Sequence, residues 1–175
     1  AAGKKDDRKA REIYDRVITE FAQEPMVYTR RAQYFLRQNP PKTSEALQDL
    51  DAALKVRPTY WQARRMRALV YVTLGRRDDA LADLRETVKT NPSLDDMRLS
   101  LMRELIAIGR SNEAAEMADE AIRVRPNDAN LAISLSNVFL SAQDWPRAQQ
   151  YAAAAWQLNK SPEIAQAFLD SLLNA

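Results

Sequence analysis

Two stretches of the sequence, LGRRDDALADL at residues 74–84 and IGRSNEAAEMA at residues 108–118, share one pattern and begin thirty-four residues apart. In each, an apolar residue and a Gly precede a basic residue, and a run of Ala, Leu and acidic residues typical of helix follows. A unit that recurs with a period of roughly 20 to 50 residues indicates an array of small helical elements. Each element must stack on its neighbours to bury its apolar face.

Proline follows the same period, at Pro58, Pro92 and Pro126 in VRPTY, TNPSL and VRPND. Because Pro cannot continue a helix but fits its first turn, we expect each to separate two helices. Gly75 and Gly109 should end the first helix of their units in a left-handed turn. Each unit is then two helices of about a dozen residues joined by a short turn.

The helix ends carry further signals. Asp78 and Ser111 follow the two glycine turns, and we predict that they cap the second helices. RKAREIYDRVITEFAQEP, residues 8–25, has the apolar spacing of a lone second helix before the first unit. SPEIAQAFLDSLLNA, residues 161–175, predicts a final helix with Ser161 as its cap and Pro162 in its first turn.

These residues resemble the tetratricopeptide repeat (TPR) family, whose signature spaces aromatic, Leu, Gly, Ala and Pro residues over two helices. The unit at 61–94 carries the signature as Ala68, Tyr71, Gly75, Ala80, Leu84 and Pro92. The sequence departs from it at Arg64 and Arg67, which replace Trp and Leu. The family's Gly becomes Ala68, Met102 or Ser136, so slightly wider helix packing is expected there.

The resemblance implies an all-α, right-handed α-solenoid of helix-turn-helix repeats. We expect a single repeat domain over residues 1–175, as part of a longer protein. Its predicted segments are a leading helix at 8–24, repeats at 25–60, 61–94, 95–128 and 129–162, and a terminal helix at 163–175.

Composition argues against catalysis. The chain has no Cys and no His, and its three Gly form no phosphate-binding loop. Acidic pairs stand at helix starts, where they complement the helix dipole. We therefore expect no enzyme activity, no cofactor and no metal site. No stretch approaches the roughly twenty apolar residues of a membrane span.

Charge is uneven along the chain. Residues 26–75 hold nine basic and three acidic side chains, although the net charge of the whole chain is only +2. This excess would attract an acidic protein or peptide partner. Nucleic-acid binding is not expected, because the chain is nearly balanced in charge and the basic segment lacks a ladder of aromatic residues.

The TPR resemblance also implies that one stripe of each first helix lines a concave surface. The candidate partner-binding residues are Thr29, Arg30, Gln33, Arg37, Gln62, Arg65, Leu69, Asp96, Leu99, Arg103, Asn130, Ile133 and Asn137. These polar positions could equally be an ordinary solvated face. A neighbouring apolar column, at Leu36, Val72, Ile106 and Leu140, fits either helix packing or the floor of a groove.

The function that these observations favour is a non-catalytic scaffold that binds a peptide or helix in its groove. The alternative is an assembly or regulatory domain that acts through its terminal helices. The final helix presents an apolar stripe at Ile164, Phe168, Leu169 and Leu172, which either a second copy in a homodimer or a further helix of a longer natural chain would cover.

Overall fold

The computed structural model describes residues 2–173, with side chains from residue 7 onward. Over these residues the chain is all-α, without a strand, which confirms the predicted fold class. None of the described helices is both long and apolar enough to cross a membrane. The helices are α1 (Ala2–Glu20), α2 (Pro25–Leu36), α3 (Thr43–Val56), α4 (Trp61–Thr73), α5 (Arg77–Thr90), α6 (Asp95–Ala107), α7 (Ser111–Val124), α8 (Ala129–Ser141), α9 (Trp145–Leu158) and α10 (Pro162–Leu173).

The helices form two compact units. The first runs to Asn91 and contains α1 to α5; the second starts at Pro92 and contains α6 to α10. Within each unit consecutive helices contact one another, and so do alternate helices: α2 with α4, α6 with α8, and α8 with α10. The single domain over 1–175 stays a prediction, and the end of its terminal helix, residues 174–175, lies outside the described residues.

The turns inside the helix pairs are tight. Gly75 and Gly109 have φ angles of 73° and 81°, which confirms the predicted left-handed turns. The residue after Gly75 closes the turn: the backbone N–H of Arg76 donates to the carbonyl of Tyr71 at 2.8 Å. Gln143, thirty-four residues after Gly109, takes the same conformation with a φ of 58°.

The predicted helix caps were wrong. The N-cap residues of α5 and α7 are Arg76 and Arg110, and neither side chain makes a capping hydrogen bond. Asp78 and Ser111 already lie inside the first turn of their helices. The physical reason is the tightness of the turn, because one left-handed residue reverses the chain and the second helix starts at once.

In each helix pair, the second helix carries a small residue where it packs against the first. Ala46, Ala80, Ala114 and Ala148 recur every thirty-four residues and are fully buried. In the pair formed by α8 and α9, Ser136 on the facing helix donates a hydrogen bond to the carbonyl oxygen of Ala148 at 2.8 Å. Backbones can approach this closely because neither residue carries a large side chain.

The extent of contact within a helix pair differs with the residue at the position of the family's Gly. Helices α6 and α7, where Met102 stands at this position, contact less extensively than the pairs that carry Ala68 and Ser136. Met102 is itself fully buried. A full-sized side chain thus accompanies the less extensive contact, and the wider packing expected at these positions stays a prediction.

Two ion-paired clusters, here called the arginine–aspartate triads, join helices of the first unit. Arg31 donates to both carboxylate oxygens of Asp49, at 2.8 and 2.6 Å, and to Asp15 at 2.5 Å. The first triad thereby connects α2 to the second helix of its own pair and to α1. The hydrogen bond from Arg31 to Asp49 is the main cause that raises the pKa of the guanidinium.

The second triad repeats this geometry. Arg67 donates to both oxygens of Asp83, at 2.7 and 2.6 Å, and to Asp51 at 2.6 Å. Asp49 and Asp83 are buried, so water competes little for the two parallel hydrogen bonds that each carboxylate accepts from its arginine. Each triad links three successive helices.

The second unit fills the same positions without the ion pair. Leu101 and Met117 lie thirty-four residues after Arg67 and Asp83, and Leu135 and Tyr151 lie a further thirty-four along. Both leucines are buried, and the Tyr151 hydroxyl donates to Asp119 at 2.6 Å. Burial, together with this hydrogen bond, raises the pKa of Tyr151. One interface position is thus built from charges in one unit and from apolar groups in the other.

Replacing Gln143 with Gly should stabilise the fold by about 1 kcal/mol, because Gly carries no Cβ penalty in the left-handed region. Gly75→Ala should cost about 1 kcal/mol for the same reason. No atom lies within 4 Å of a Cβ built at Gly75, so its loss would report backbone strain alone. The free energy of unfolding in urea measures both changes. Variants as stable as the unmodified chain would contradict this prediction.

Removing Arg67 alone should cost about 3 kcal/mol or more, because Arg67→Leu leaves the Asp83 carboxylate buried without its cation. The double change Arg67→Leu and Asp83→Met copies the pair found at Leu101 and Met117. It should recover most of the loss, since apolar groups of similar volume replace buried ion pairs at little cost. The free energy of unfolding in urea decides the matter; a double variant no more stable than the single one contradicts it.

Candidate functional site

A pocket of about 530 Å³ lies between α2 and α4 of the first unit. It is called the α2–α4 pocket below. Its lining combines aromatic and apolar side chains with amides and two guanidinium groups: Met26, Thr29, Arg30, Gln33, Tyr60, Trp61, Gln62, Arg65, Met66 and Leu69.

Helical spacing explains why these residues meet. On α2 the lining positions are 26, 29, 30 and 33, and on α4 they are 62, 65, 66 and 69. Positions three, four and seven residues apart lie on one face of a helix. Helices α2 and α4 contact each other directly within the first unit, so these two faces line the same cavity. Tyr60 and Trp61 join them because they stand where α4 begins.

The pocket brings together some of the residues that the sequence predicted and adds others. The predicted residues that line it are Thr29, Arg30, Gln33, Gln62, Arg65 and Leu69. The other four lining residues, Met26, Tyr60, Trp61 and Met66, are not among the predicted site residues. For Tyr60 and Trp61, the available signal is an aromatic pair next to the predicted groove column, where the repeat at 61–94 begins.

The other predicted partner-binding residues lie elsewhere. Arg37 is exposed at the end of α2, outside the pocket lining. The remaining six are in the second unit, on two helices that contact each other: Asp96, Leu99 and Arg103 on α6, and Asn130, Ile133 and Asn137 on α8. The burial of Leu99 makes it a core residue, whereas Ile133 is half-buried and the other four are exposed.

The predicted assembly stripe on α10 divides in the same way. Ile164 is buried in a core cluster and Phe168 is half-buried. Leu169 and Leu172 are exposed. The apolar column at Leu36, Val72, Ile106 and Leu140 is half-buried throughout, and none of its members lines the α2–α4 pocket.

The electrostatics of the pocket distinguish neighbouring arginines. Arg30 and Arg65 are exposed, and among the described residues neither has a carboxylate oxygen within 4 Å. Arg31 and Arg67, on the same helices, are held in the triads. No acidic residue lines the pocket. The two cations of the pocket are therefore available to a negatively charged ligand.

Not every polar side chain beside Arg30 and Arg65 is available to a ligand. The Thr29 hydroxyl donates to the carbonyl of Pro25 at 2.9 Å within its own helix. The amides of Gln33 and Gln62 remain, with Tyr60 and Trp61 at one end. Within the described part of the chain, no cluster of three or more metal-ligating side chains is present. The arrangement suits recognition of an anionic group beside an apolar one.

Comparison with known proteins defines the class. Residues 39–165 match the family model described as "Psidin, N-terminal TPR repeats region". The match extends over more than half of the sequence, and the chain belongs to this family of TPR repeat regions. Proteins of this class are in general non-catalytic interaction scaffolds. No curated protein matches the sequence significantly.

Solved structures share the fold at low sequence identity. YrrB, described as a TPR protein with an unusual peptide-binding site, is 17% identical with a TM-score of 0.62; the match covers 92% of this chain and 81% of YrrB. MamA from Desulfovibrio magneticus RS-1 is 15% identical with a TM-score of 0.58, over 85% of this chain and 84% of that one. Yeast Tom70 is 17% identical with a TM-score of 0.67, over 90% of this chain and 33% of Tom70.

Leu69 and Leu99 test which predicted residues belong to a surface and which to the core. Leu69 is 57% exposed and Leu99 is 8% exposed. Leu69→Ala should therefore change the free energy of unfolding by less than about 0.5 kcal/mol. Leu99→Ala should cost about 2 to 5 kcal/mol by opening a cavity. Urea unfolding of the two variants provides the measurement, and equal losses would contradict this assignment.

Proposed function

We propose that the chain is a non-catalytic scaffold that binds an acidic peptide or helix in the α2–α4 pocket. The observation that carries this proposal is the coexistence, in one cavity, of two unpaired guanidinium groups and an aromatic wall. Membership of the TPR family supports an interaction role. The peptide-binding site of YrrB is consistent with it, although that protein shares only the fold.

The chemistry of the lining defines the ligand. Arg30 and Arg65 can each donate two parallel hydrogen bonds to a carboxylate, a geometry that a Lys ammonium does not offer. Tyr60, Trp61 and Leu69 offer apolar area to a neighbouring side chain of the same ligand. We therefore expect a segment in which Asp or Glu stands beside an apolar anchor, and we expect no bond-making chemistry on it.

The test uses immobilised twelve-residue peptides with a central Leu or Phe flanked by Asp and Glu, and matched peptides flanked by Lys and Arg. The acidic set should bind and the basic set should not. For the tightest acidic peptide, Arg30→Ala and Arg65→Ala should each weaken the affinity by about tenfold, because each removes a charge-assisted hydrogen bond. Fluorescence anisotropy of the labelled peptide measures the dissociation constant.

Arg37→Ala is the matched control, because it removes one exposed positive charge at the end of α2 without touching the pocket. It should change the dissociation constant by less than about twofold, as expected of a distant screened charge. An Arg37 effect as large as that of Arg65 would mean attraction by net charge alone. Equal binding of acidic and basic peptides would overturn the proposed ligand.

A second candidate function, assembly through the terminal helices, has a separate observation in its favour. Leu169 and Leu172 on α10 are exposed, and so is Ile13 on α1. Leu169 and Leu172 are three residues apart and share a face of α10, and exposed large apolar residues grouped in this way are typical of an interaction site. On this proposal the chain associates with a second copy of itself, independently of the α2–α4 pocket.

A further inference from the structure

The turn between α3 and α4 places a third arginine next to the α2–α4 pocket. Arg57 is the C-cap residue of α3, and its backbone carbonyl accepts a hydrogen bond from the N–H of Tyr60 at 3.0 Å. The guanidinium carbon of Arg57 lies over the Tyr60 ring, 6.0 Å from the ring centroid. Because Tyr60 lines the pocket, Arg57 stands beside the aromatic end of that cavity.

The same turn recurs sixty-eight residues later, two repeats along the chain. VRPTY and VRPND correspond to each other, so that Arg125 is the counterpart of Arg57. Arg125 donates to both carboxylate oxygens of Asp95, at 2.5 and 2.9 Å, and to Asp128 at 3.3 Å. In the second unit, therefore, the arginine of this turn is paired with two carboxylates of its own unit.

The first unit has neither of these carboxylates. Tyr60 stands at the place of Asp128. Pro25, the first residue of α2, stands at the place of Asp95, the first residue of α6. Arg57 is exposed, and no carboxylate oxygen of the described residues lies within 4 Å of its guanidinium. Arg57 is therefore available to a carboxylate that a ligand supplies.

A second arginine near the start of α4 shows the same difference. Arg98 on α6 donates to Asp95 at 2.7 Å. Arg64, thirty-four residues earlier, has Trp61 in place of that aspartate, and its Nη1 is buried without a hydrogen-bond partner in the described part of the chain. Arg57 and Arg64 thus leave positive charge at the start of α4 without an ion pair, which favours an anionic ligand there.

We propose that Arg57 binds a second acidic residue of the peptide, on the opposite side of the apolar anchor from the acidic residue that Arg30 and Arg65 bind. The anchor itself contacts Tyr60 and Trp61, between the two cationic groups. This inference rests on the proposed binding function of the α2–α4 pocket, and it narrows the ligand to a segment with an acidic residue on each side of its anchor.

The spacing of the three groups defines the spacing of the ligand. Trp61 and Arg65 are four residues apart, which is about 6 Å along the axis of α4. Arg57 precedes the aromatic pair, with its guanidinium carbon 6.0 Å from the centre of the Tyr60 ring. Alternate residues of an extended peptide point to the same side and lie about 6.6 Å apart. Acidic residues two positions before and two positions after the anchor therefore match the arrangement.

The experiment uses three labelled twelve-residue peptides and measures dissociation constants by fluorescence anisotropy. The first peptide has a central Leu, with Asp two positions before it and two positions after it, in an otherwise uncharged sequence. Each of the other two replaces one Asp with Asn. For the first peptide, Arg57→Ala should weaken the affinity about fivefold, as expected of an exposed ion pair. Arg65→Ala should weaken it about tenfold.

The two peptides with a single Asp identify the acidic residue that each arginine binds. With one of them, Arg57→Ala should change the dissociation constant by less than about twofold, while Arg65→Ala keeps its full effect. With the other peptide, the two responses should be exchanged. Attraction by net charge alone would not produce this reciprocal pattern, because both variants would then respond alike to both peptides.

Lys55→Ala is the matched control, since it removes another exposed positive charge two residues before Arg57. It should change each dissociation constant by less than about twofold. Arg57→Lys keeps the charge without the planar pair of donors, so it should recover only part of the affinity lost in Arg57→Ala. Circular dichroism and urea unfolding verify that the variants fold, which the exposure of both residues leads us to expect.

The outcomes separate this inference from the proposed function on which it rests. If Arg57→Ala binds every peptide as tightly as the unmodified chain, or weakens all three equally, the Arg57 contact is overturned and binding in the α2–α4 pocket stands. If the unmodified chain binds none of the three peptides, both are overturned. The reciprocal pattern supports both.

Discussion

The close approach of the two helices in each pair is the interaction on which the rest of the structure depends. It is made possible by an alanine at the same position of every second helix, from Ala46 to Ala148. A lone amphipathic helix of a dozen residues has marginal stability in water, so each must bury its apolar face against a partner. Where Met102 stands at the position of the family's Gly, the two helices of the pair contact less extensively. The requirement for a small residue in each pair is therefore steric, and it recurs along the chain with the repeat.

Charge is used in two ways on the same helices. Arg31 and Arg67 form ion pairs with buried aspartates and link successive helices. Arg30 precedes Arg31 by one residue, and a rotation of about 100° takes it to the open face of α2. Consecutive arginines thus have unlike roles, one in stability and one in the pocket. The basic excess in this part of the sequence contains both kinds, and composition does not separate them.

The period of the sequence predicted the helices well because it reflects local constraints. Gly at a left-handed turn and Pro between pairs act within a few residues, and the structure confirms the glycine turns as well as Ser161 at the start of α10, whose hydroxyl accepts from the Ile164 N–H. The caps at Asp78 and Ser111 were wrong since their assignment depends on a shift of one or two residues. Boundaries of that precision depend on turn geometry, which residue type alone does not specify.

The sequence by itself determined the class of fold, the number of residues per repeat and the face of α2 and α4 that carries Thr29, Gln33, Gln62 and Arg65. Only the tertiary structure decided that Leu99 is buried while Leu69 is open, and that Arg67 is paired while Arg65 is free. Periodicity assigns a residue to a side of its own helix. Whether that side is covered depends on neighbouring helices distant in sequence, and this information emerges only when the helices pack.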